Sequence, residues 1–429
     1  MEVMKKFYGA VCVVFITIAV VLLLTNNVCA SQTSSVINST IKNKKFELPS
    51  KIHKDGEGFY EVGRMLTPRY QHSSILLNDG RLFIVGGSKN GSIDGSLNST
   101  EIFDISTNKS TPGPDLPFPV DESILLKLYD GRILIIYGSN RQQIAIYNPN
   151  QNIIEKIINV KFPYLTFRPS ACFVKEINNN EIIIARNNSF PFSKAIYYNP
   201  RTNIIDDYST RFTGDYSVSF LLQDNNTFYF TLPPSGNGLK RDNLMKISGK
   251  ELKELSINPD RFSKCVKLAK PKGALTGIRY ILKPEVFITQ QKEIYSSKGI
   301  MLNDHNTIVL FTPENKMYIY DIKNNKFLTE KSFSNLFSTT SIYDIYLLSN
   351  NNILIVTHYK LYEIDSNNFE IKPKIYDTPK SFSWGSLTEL NNDKFLYSGG
   401  IIPTRNPFKY KYDSVSDKIY LWKMKKENN

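Results

Sequence analysis

The amino-acid sequence predicts an all-β chain in which one four-stranded unit is repeated along most of the length. Three observations carry that expectation. A hairpin pattern recurs, built from an apolar run, a short polar turn and a second apolar run. Each hairpin is followed by a third apolar or aromatic run and another polar turn. Helical periodicity is absent after the first thirty residues. The composition agrees, with 25 Tyr, 26 Phe, and Ile and Asn frequent throughout. Aromatic and β-branched side chains suit half-buried strands, and Asn suits tight turns.

In chain order, residues 1–30 are expected to lie outside the fold. Lys5 and Lys6 precede an uncharged apolar run over residues 7–24, and Val28-Cys29-Ala30 places small residues where a signal peptidase cuts before Ser31. The run is long for a signal core, so a cleaved signal and an uncleaved single-pass anchor both remain open, and either exports the rest. Residues 31–55, rich in Ser, Thr, Asn and Lys, read as a spacer. Residues 56–429 form the repeat domain. Its clearest hairpin is HSSILLNDGRLFIVGG, from His72 to Gly87, where Asp79-Gly80 supplies the positive φ that tight hairpins need. Further copies begin at Ser123, Ser170, Ser217, Gly299, Ile342 and Trp384.

Third strands are expected at Glu101, Ala145, Ala195, Met317 and Leu361. Most copies are spaced by roughly 45–50 residues, the size of a propeller blade rather than of a helical pair. The expected architecture is a seven-bladed β-propeller. Its last unit ends in KIYLWKM, where a third strand belongs, and Gly58–Met65 has the pattern of the missing outer strand. The N-terminal strand would thus complete the C-terminal blade and remove an exposed sheet edge. One interval, between the fourth and fifth copies, is too long. Arg261 to Lys298 within it is an insertion or an extra worn blade, and holds nine bases against two acids.

The repeats resemble the Kelch family. Arg69, His72, Asp79-Gly80, Gly86-Gly87 and Phe103-Asp104 fall where that family has its Arg, His, turn Gly, Gly pair and aromatic-acid strand, and Gly399-Gly400 repeats the pair. The middle copies depart from it: their Gly pairs are lost, and Ile154, Ile205, Phe327 or Phe369 stands for the outer-strand Trp. The Gly-His and Trp-Asp marks of WD repeats are missing. The resemblance implies that residues just before each inner strand line the rim of the ring. These are Arg69 and His72, Asp121 and Glu122, Arg168, Asp215 and Tyr216, Asp344, and Ser383 and Trp384. Arg69 has a second reading, as a bridge between neighbouring blades.

The function expected is non-catalytic binding of a protein, peptide or glycan by a monomer. The alternative is a carbohydrate-active propeller resembling galactose oxidase or sialic acid mutarotase. Copper ligation from His53, His72, His305 and His358 would demand fortunate geometry. Mutarotation needs one positioned acid and base, which no motif marks. No catalytic residue, metal site or cofactor is expected. Cys12 and Cys29 fall in the leader, and Cys172 and Cys265 fall in separate units and are expected free. The net charge of +13 suits an acidic partner or anionic surface met through Arg261–Lys298, or else reflects a Lys-rich composition. No specific nucleic-acid partner is indicated.

Overall fold

A computed structural model describes residues 58–90, 95–121, 123–137, 143–160, 172–177, 181–186, 195–207, 220–224, 227–231, 244–248, 298–312, 316–324, 326–333, 342–357, 360–376, 378–391, 393–403 and 412–423. The leader, the spacer, Cys265 and the basic segment up to residue 297 lie outside these residues. Among the described residues no helix is long and apolar enough to cross a membrane.

Among the described residues all the named elements are strands, paired antiparallel throughout. Strand β1 is Gly58–Arg64. The next sheet runs β2 (Ser73–Leu76), β3 (Leu82–Val85), β4 (Thr100–Asp104), β5 (Lys109–Pro112) in spatial as in chain order. The same order returns in β6 (Ile124–Lys127), β7 (Ile133–Ile136), β8 (Gln143–Asn148), β9 (Ile153–Asn159), and in β10 (Cys172–Ile177), β11 (Glu181–Arg186), β12 (Ala195–Asn199), β13 (Ile204–Asp207). Three strands follow: β14 (Phe220–Asp224), β15 (Thr227–Thr231), β16 (Leu244–Ser248). Two more four-stranded sheets are β17 (Lys298–Met301), β18 (Thr307–Thr312), β19 (Lys316–Asp321), β20 (Lys326–Ser332), and β21 (Ile342–Leu347), β22 (Ile353–Thr357), β23 (Leu361–Ile364), β24 (Ile371–Tyr376). The chain ends in β25 (Ser386–Asn391), β26 (Lys394–Ser398), the hairpin β27 (Ile401–Pro403) and β28 (Tyr412–Val415), and β29 (Lys418–Lys423).

Burial follows position within each sheet. Strands β3, β7 and β22 are buried at every residue, because neighbouring sheets cover both their faces. That is why they read as unbroken apolar runs rather than as alternation. Phe83 and Ile102 of one sheet share a core with Ile133 and Tyr147 of the next, and Phe83 stacks on Tyr147 at 4.0 Å. Outer strands β5 and β9 are mostly exposed. The expected outer-strand apolar residues Ile154, Ile205 and Phe327 lie on β9, β13 and β20, but Phe369 does not. It sits at φ 55° in the turn before β24, where its amide donates to the Asp365 carbonyl at 2.6 Å.

The Asp-Gly hairpins form as expected. Gly80 and Gly131 take φ of 88° and 87°, and their amides reach back to Leu77 and Leu128. His305 and Asn351 occupy the corresponding left-handed position in two later hairpins, at φ 51° and 66°. His305 is thereby accounted for as a turn residue.

The first and last described strands meet in one sheet, of spatial order β1-β29-β26-β25. Phe59 of β1 stacks on buried Trp422 of β29 at 5.7 Å, and Glu61 pairs with Lys418 at 2.7 Å. On the inner side, the Ser74 hydroxyl of β2 meets Ser386 and Thr388 of β25, both at 2.7 Å. Strand β2 therefore neighbours β25 on one side and β6 on the other.

Candidate functional site

The first and last sheets are joined most tightly at one end, where chain enters β2 and β25 and leaves β26. Arg69, in the turn before β2, is fully buried at 0% exposure. Its guanidinium pairs with Glu101 of β4 at 2.5 Å and donates to the carbonyls of Gly86 at 2.7 Å and Ser99 at 3.1 Å. Glu101 in turn accepts the amides of Leu66 at 2.6 Å and Thr67 at 2.9 Å, so the pair fixes the whole entry turn. His72 is 2% exposed, and its Nε2 meets the Ser398 hydroxyl at 2.8 Å. Burial, and then the nearby Arg69 charge, push its imidazole down to about 3. It is neutral at ordinary pH.

The second Gly pair explains itself here. Gly399 and Gly400 have φ of 68° and 92°. A side chain at Gly399 would collide with the Arg69 carbonyl, and one at Gly400 with the Ser381 carbonyl. The Gly400 amide donates to the Arg69 carbonyl at 3.0 Å, the Arg69 amide to Ser416 at 3.2 Å, and the Ile401 amide to Ser383 at 2.8 Å. The β27–β28 hairpin rises from this joint.

Between Arg69 and His72, Gln71 is turned to φ 53°, and its amide donates to the Trp384 carbonyl at 2.7 Å. Trp384 itself stands at φ 61°. A left-handed backbone is rare for a bulky side chain and marks a place where surrounding contacts enforce the conformation. Trp384 is 36% exposed, while Phe382 and Ser383 beside it are buried. Together with Val356, Thr357, Gly385, Leu387 and Tyr397 these residues line a shallow, open cleft, of about 10 Å³, between the β21–β24 sheet and the last sheet. The Phe382 and Tyr397 rings pack at 4.5 Å to form its floor.

The expected rim residues therefore part company. Arg69, His72, Ser383 and Trp384 come together at one joint, but Arg69 and His72 are enclosed in it and offer no side chain to a ligand. The Arg69 guanidinium stays within the first sheet and its entry turn, and only the Arg69 backbone bridges to Gly400 and Ser416 beside the last sheet. Asp344 is half-buried on β21 beside a bulge and caps the Ile345 amide at 2.9 Å. Asp121 is half-buried ahead of β6. Glu122, Arg168, Asp215 and Tyr216 lie outside the described residues, as do His53 and His358. Among the described residues no group of three or more His, Cys, Asp or Glu is placed to hold a metal ion. Sequence reasoning missed the cleft walls Thr357, Phe382 and Tyr397. Phe382, two residues before Trp384, was the visible clue, since an aromatic pair in a turn has no need of a strand's alternation.

Residues 69–117 match the Kelch motif. That span runs from the buried Arg69 through the Gly86-Gly87 pair to the end of the β2–β5 sheet. None of the curated protein sequences matches the chain. Among solved structures, the chain is similar to U3-55K, with a TM-score of 0.51 and 9% identity over 86% of this chain and 100% of that one. It is also similar to the WD40 β-propeller domain of Doa1, at a TM-score of 0.47 and 9% identity over 86% of this chain and 98% of that one. At such identity the likeness to U3-55K speaks for the fold alone.

Proposed function

We propose that this chain, with a Kelch repeat at residues 69–117, is a seven-bladed propeller closed by β1 and serves as an exported protein-interaction scaffold. Seven sheets with β14–β16 counted as the fourth blade, and the pairing of β1 with β29, support the ring. Residues 1–30 would carry the protein out of the cytoplasm, or hold it at the membrane.

The observation that carries the binding reading is the Trp384 cleft. A partly exposed Trp384 is held against its backbone preference over a shallow cleft, at the end of the sheets where entry turns converge. Exposed aromatics beside buried neighbours are what recognition surfaces use, because they offer large contact area at small entropic cost. The four titratable or hydroxyl groups best placed for chemistry here, Arg69, Glu101, His72 and Ser398, are bonded to one another or to backbone inside the joint.

The test is to present the purified protein with peptide and glycan arrays, beside a sialic acid mutarotation assay. Retention on peptides or proteins, without mutarotation above buffer, is expected. Mutarotation, or no retention on any ligand, overturns the reading.

A further inference from the structure

We infer that Arg201 and Tyr129 form a second docking face, which takes a partner segment carrying one carboxylate beside an aliphatic side chain. This rests on the interaction-scaffold reading and adds a contact to it. The face is separate from the Trp384 cleft. Tyr129 follows its inner strand β6, whereas Trp384 precedes the inner strand β25, so the two stand at opposite ends of the sheets.

Three observations build the face. The first is an unmatched charge held in place. Arg201, in the turn between β12 and β13, is exposed, and its guanidinium lies 4.9 Å above the Tyr129 ring in the turn between β6 and β7. Among the described residues no carboxylate or other hydrogen-bond acceptor engages that guanidinium. An arginine stacked on an aromatic ring keeps its planar fork of N–H donors for a carboxylate. The second is a fixed support. Arg132 pairs with Asp130 at 2.8 Å and Glu155 at 3.2 Å, and donates to the Pro200 carbonyl at 3.1 Å. One side chain thus ties the Tyr129 turn, strand β9 and the Arg201 turn together, which lowers the ordering cost of binding. The third is apolar surface beside the charge. Tyr129 is 43% exposed, and Ile153, two residues before Glu155, is 45% exposed. Ile154 packs into the core between the β2–β5 and β6–β9 sheets, so strand alternation turns Ile153 to the side of Arg201.

This combination selects its occupant. A wholly apolar segment would cover Arg201 without a counter-charge and lose its hydration. A polyanion would meet Asp130 and Glu155 in the same bridged cluster, and they repel further negative charge. A single carboxylate satisfies Arg201, and an aliphatic neighbour covers Ile153 and the Tyr129 ring. Tyr and Arg are also the residue types in which binding energy concentrates.

The probe is a capped peptide holding Leu-Glu-Leu between Gly-Ser ends, titrated with the full-length protein and followed by broadening of the peptide's own NMR signals. It should bind, while its Leu-Gln-Leu and Gly-Glu-Gly counterparts should bind about tenfold more weakly or worse. Arg201→Gln should weaken the Leu-Glu-Leu peptide to the same degree. That variant removes one of 53 Lys and Arg, so such a loss exceeds any change in general attraction. Arg201→Lys should restore little, because an ammonium has neither the fork nor the stacking. Ile153→Ser should weaken the same peptide. Both side chains are exposed, so these variants should melt as the wild type does. If the Leu-Glu-Leu peptide does not bind, or binds Arg201→Gln as it binds wild type, the inference fails. Equal binding of the Glu and Gln peptides overturns it too. Retention on heparin that is lost in Arg201→Gln would replace the acidic segment with a polyanion. Peptides from the arrays held equally by wild type and Arg201→Gln would sink the inference while leaving the scaffold reading intact.

Discussion

At His72, burial and the Arg69 guanidinium keep the imidazole neutral down to about pH 3, whereas in the unfolded chain it takes up its proton near pH 6.5. The unfolded state therefore binds the extra proton as pH falls. Stability from the neutral ring is complete above about pH 6.5 and declines by about 1.4 kcal/mol for each pH unit below that, until about pH 3. Denaturant titrations at pH 6.5 and 4.5 should show a steeper loss for the wild type than for His72→Asn. Parallel losses would mean His72 is not held neutral. Arg69 tests the same joint differently. Arg69→Met leaves Glu101 buried without its cation and frees the Gly86 and Ser99 carbonyls, which should cost about 3–5 kcal/mol. A urea midpoint shift worth under about 1 kcal/mol would show that the pair does not hold the joint. At Trp384 the backbone is the variable. Gly should be more stable than Ala there by about 1 kcal/mol, because only Gly adopts φ 61° without a Cβ penalty. Equal melting temperatures would say that the left-handed backbone is not enforced.

Strands and turns differ in how plainly their residues announce them. Asp79-Gly80 and Asp130-Gly131 were readable because the left-handed turn is a local demand that Gly meets at once. His305 and Asn351 occupy the same geometry in later hairpins with less obvious residues, and the apolar runs beside them made the hairpins readable. The β27–β28 hairpin was not readable: Ile401–Pro403 is three residues long, includes Pro, and has no tight turn mark after it. Phe369 misled because an aromatic near a blade's edge fits a turn as well as a strand. The outer strand β1 was readable because the last unit lacked one and Gly58–Met65 had its pattern. Its removal gives an element-scale prediction. A chain beginning at Leu66 loses the Phe59–Trp422 stack and the Glu61–Lys418 pair, and bares the edge of β29. Unpaired edges recruit other chains. Such a chain should aggregate and melt lower than one beginning at Ile52. If it is soluble, monomeric by light scattering and melts alike, β1 does not protect the edge.

Over the whole molecule, the repeat was legible because each blade carries the same local pattern, whereas the joint at Arg69 and Trp384 arises from chain segments over three hundred residues apart in sequence. Arg69 and His72 stood out as a motif, but a motif shows which residues matter and not whether they face water. Only packing revealed that both are enclosed while Trp384, at the start of the last repeat copy, is exposed. Charge is the remaining property of the whole chain. Of the +13, Arg261 to Lys298 contributes +7, from nine bases against two acids. A concentration of this kind should attract polyanions or an anionic membrane if the segment stands clear of the ring. Attraction between exposed charges is screened over about 8 Å near physiological ionic strength, so salt should weaken it steeply. The experiment compares wild type with a variant in which Lys264, Lys267, Lys270 and Lys272 become Gln, on heparin and on anionic vesicles across a salt series. The variant keeps five of the nine bases, so it should elute at distinctly lower salt while remaining as stable as the wild type. Equal elution would assign the basic charge to a Lys-rich composition.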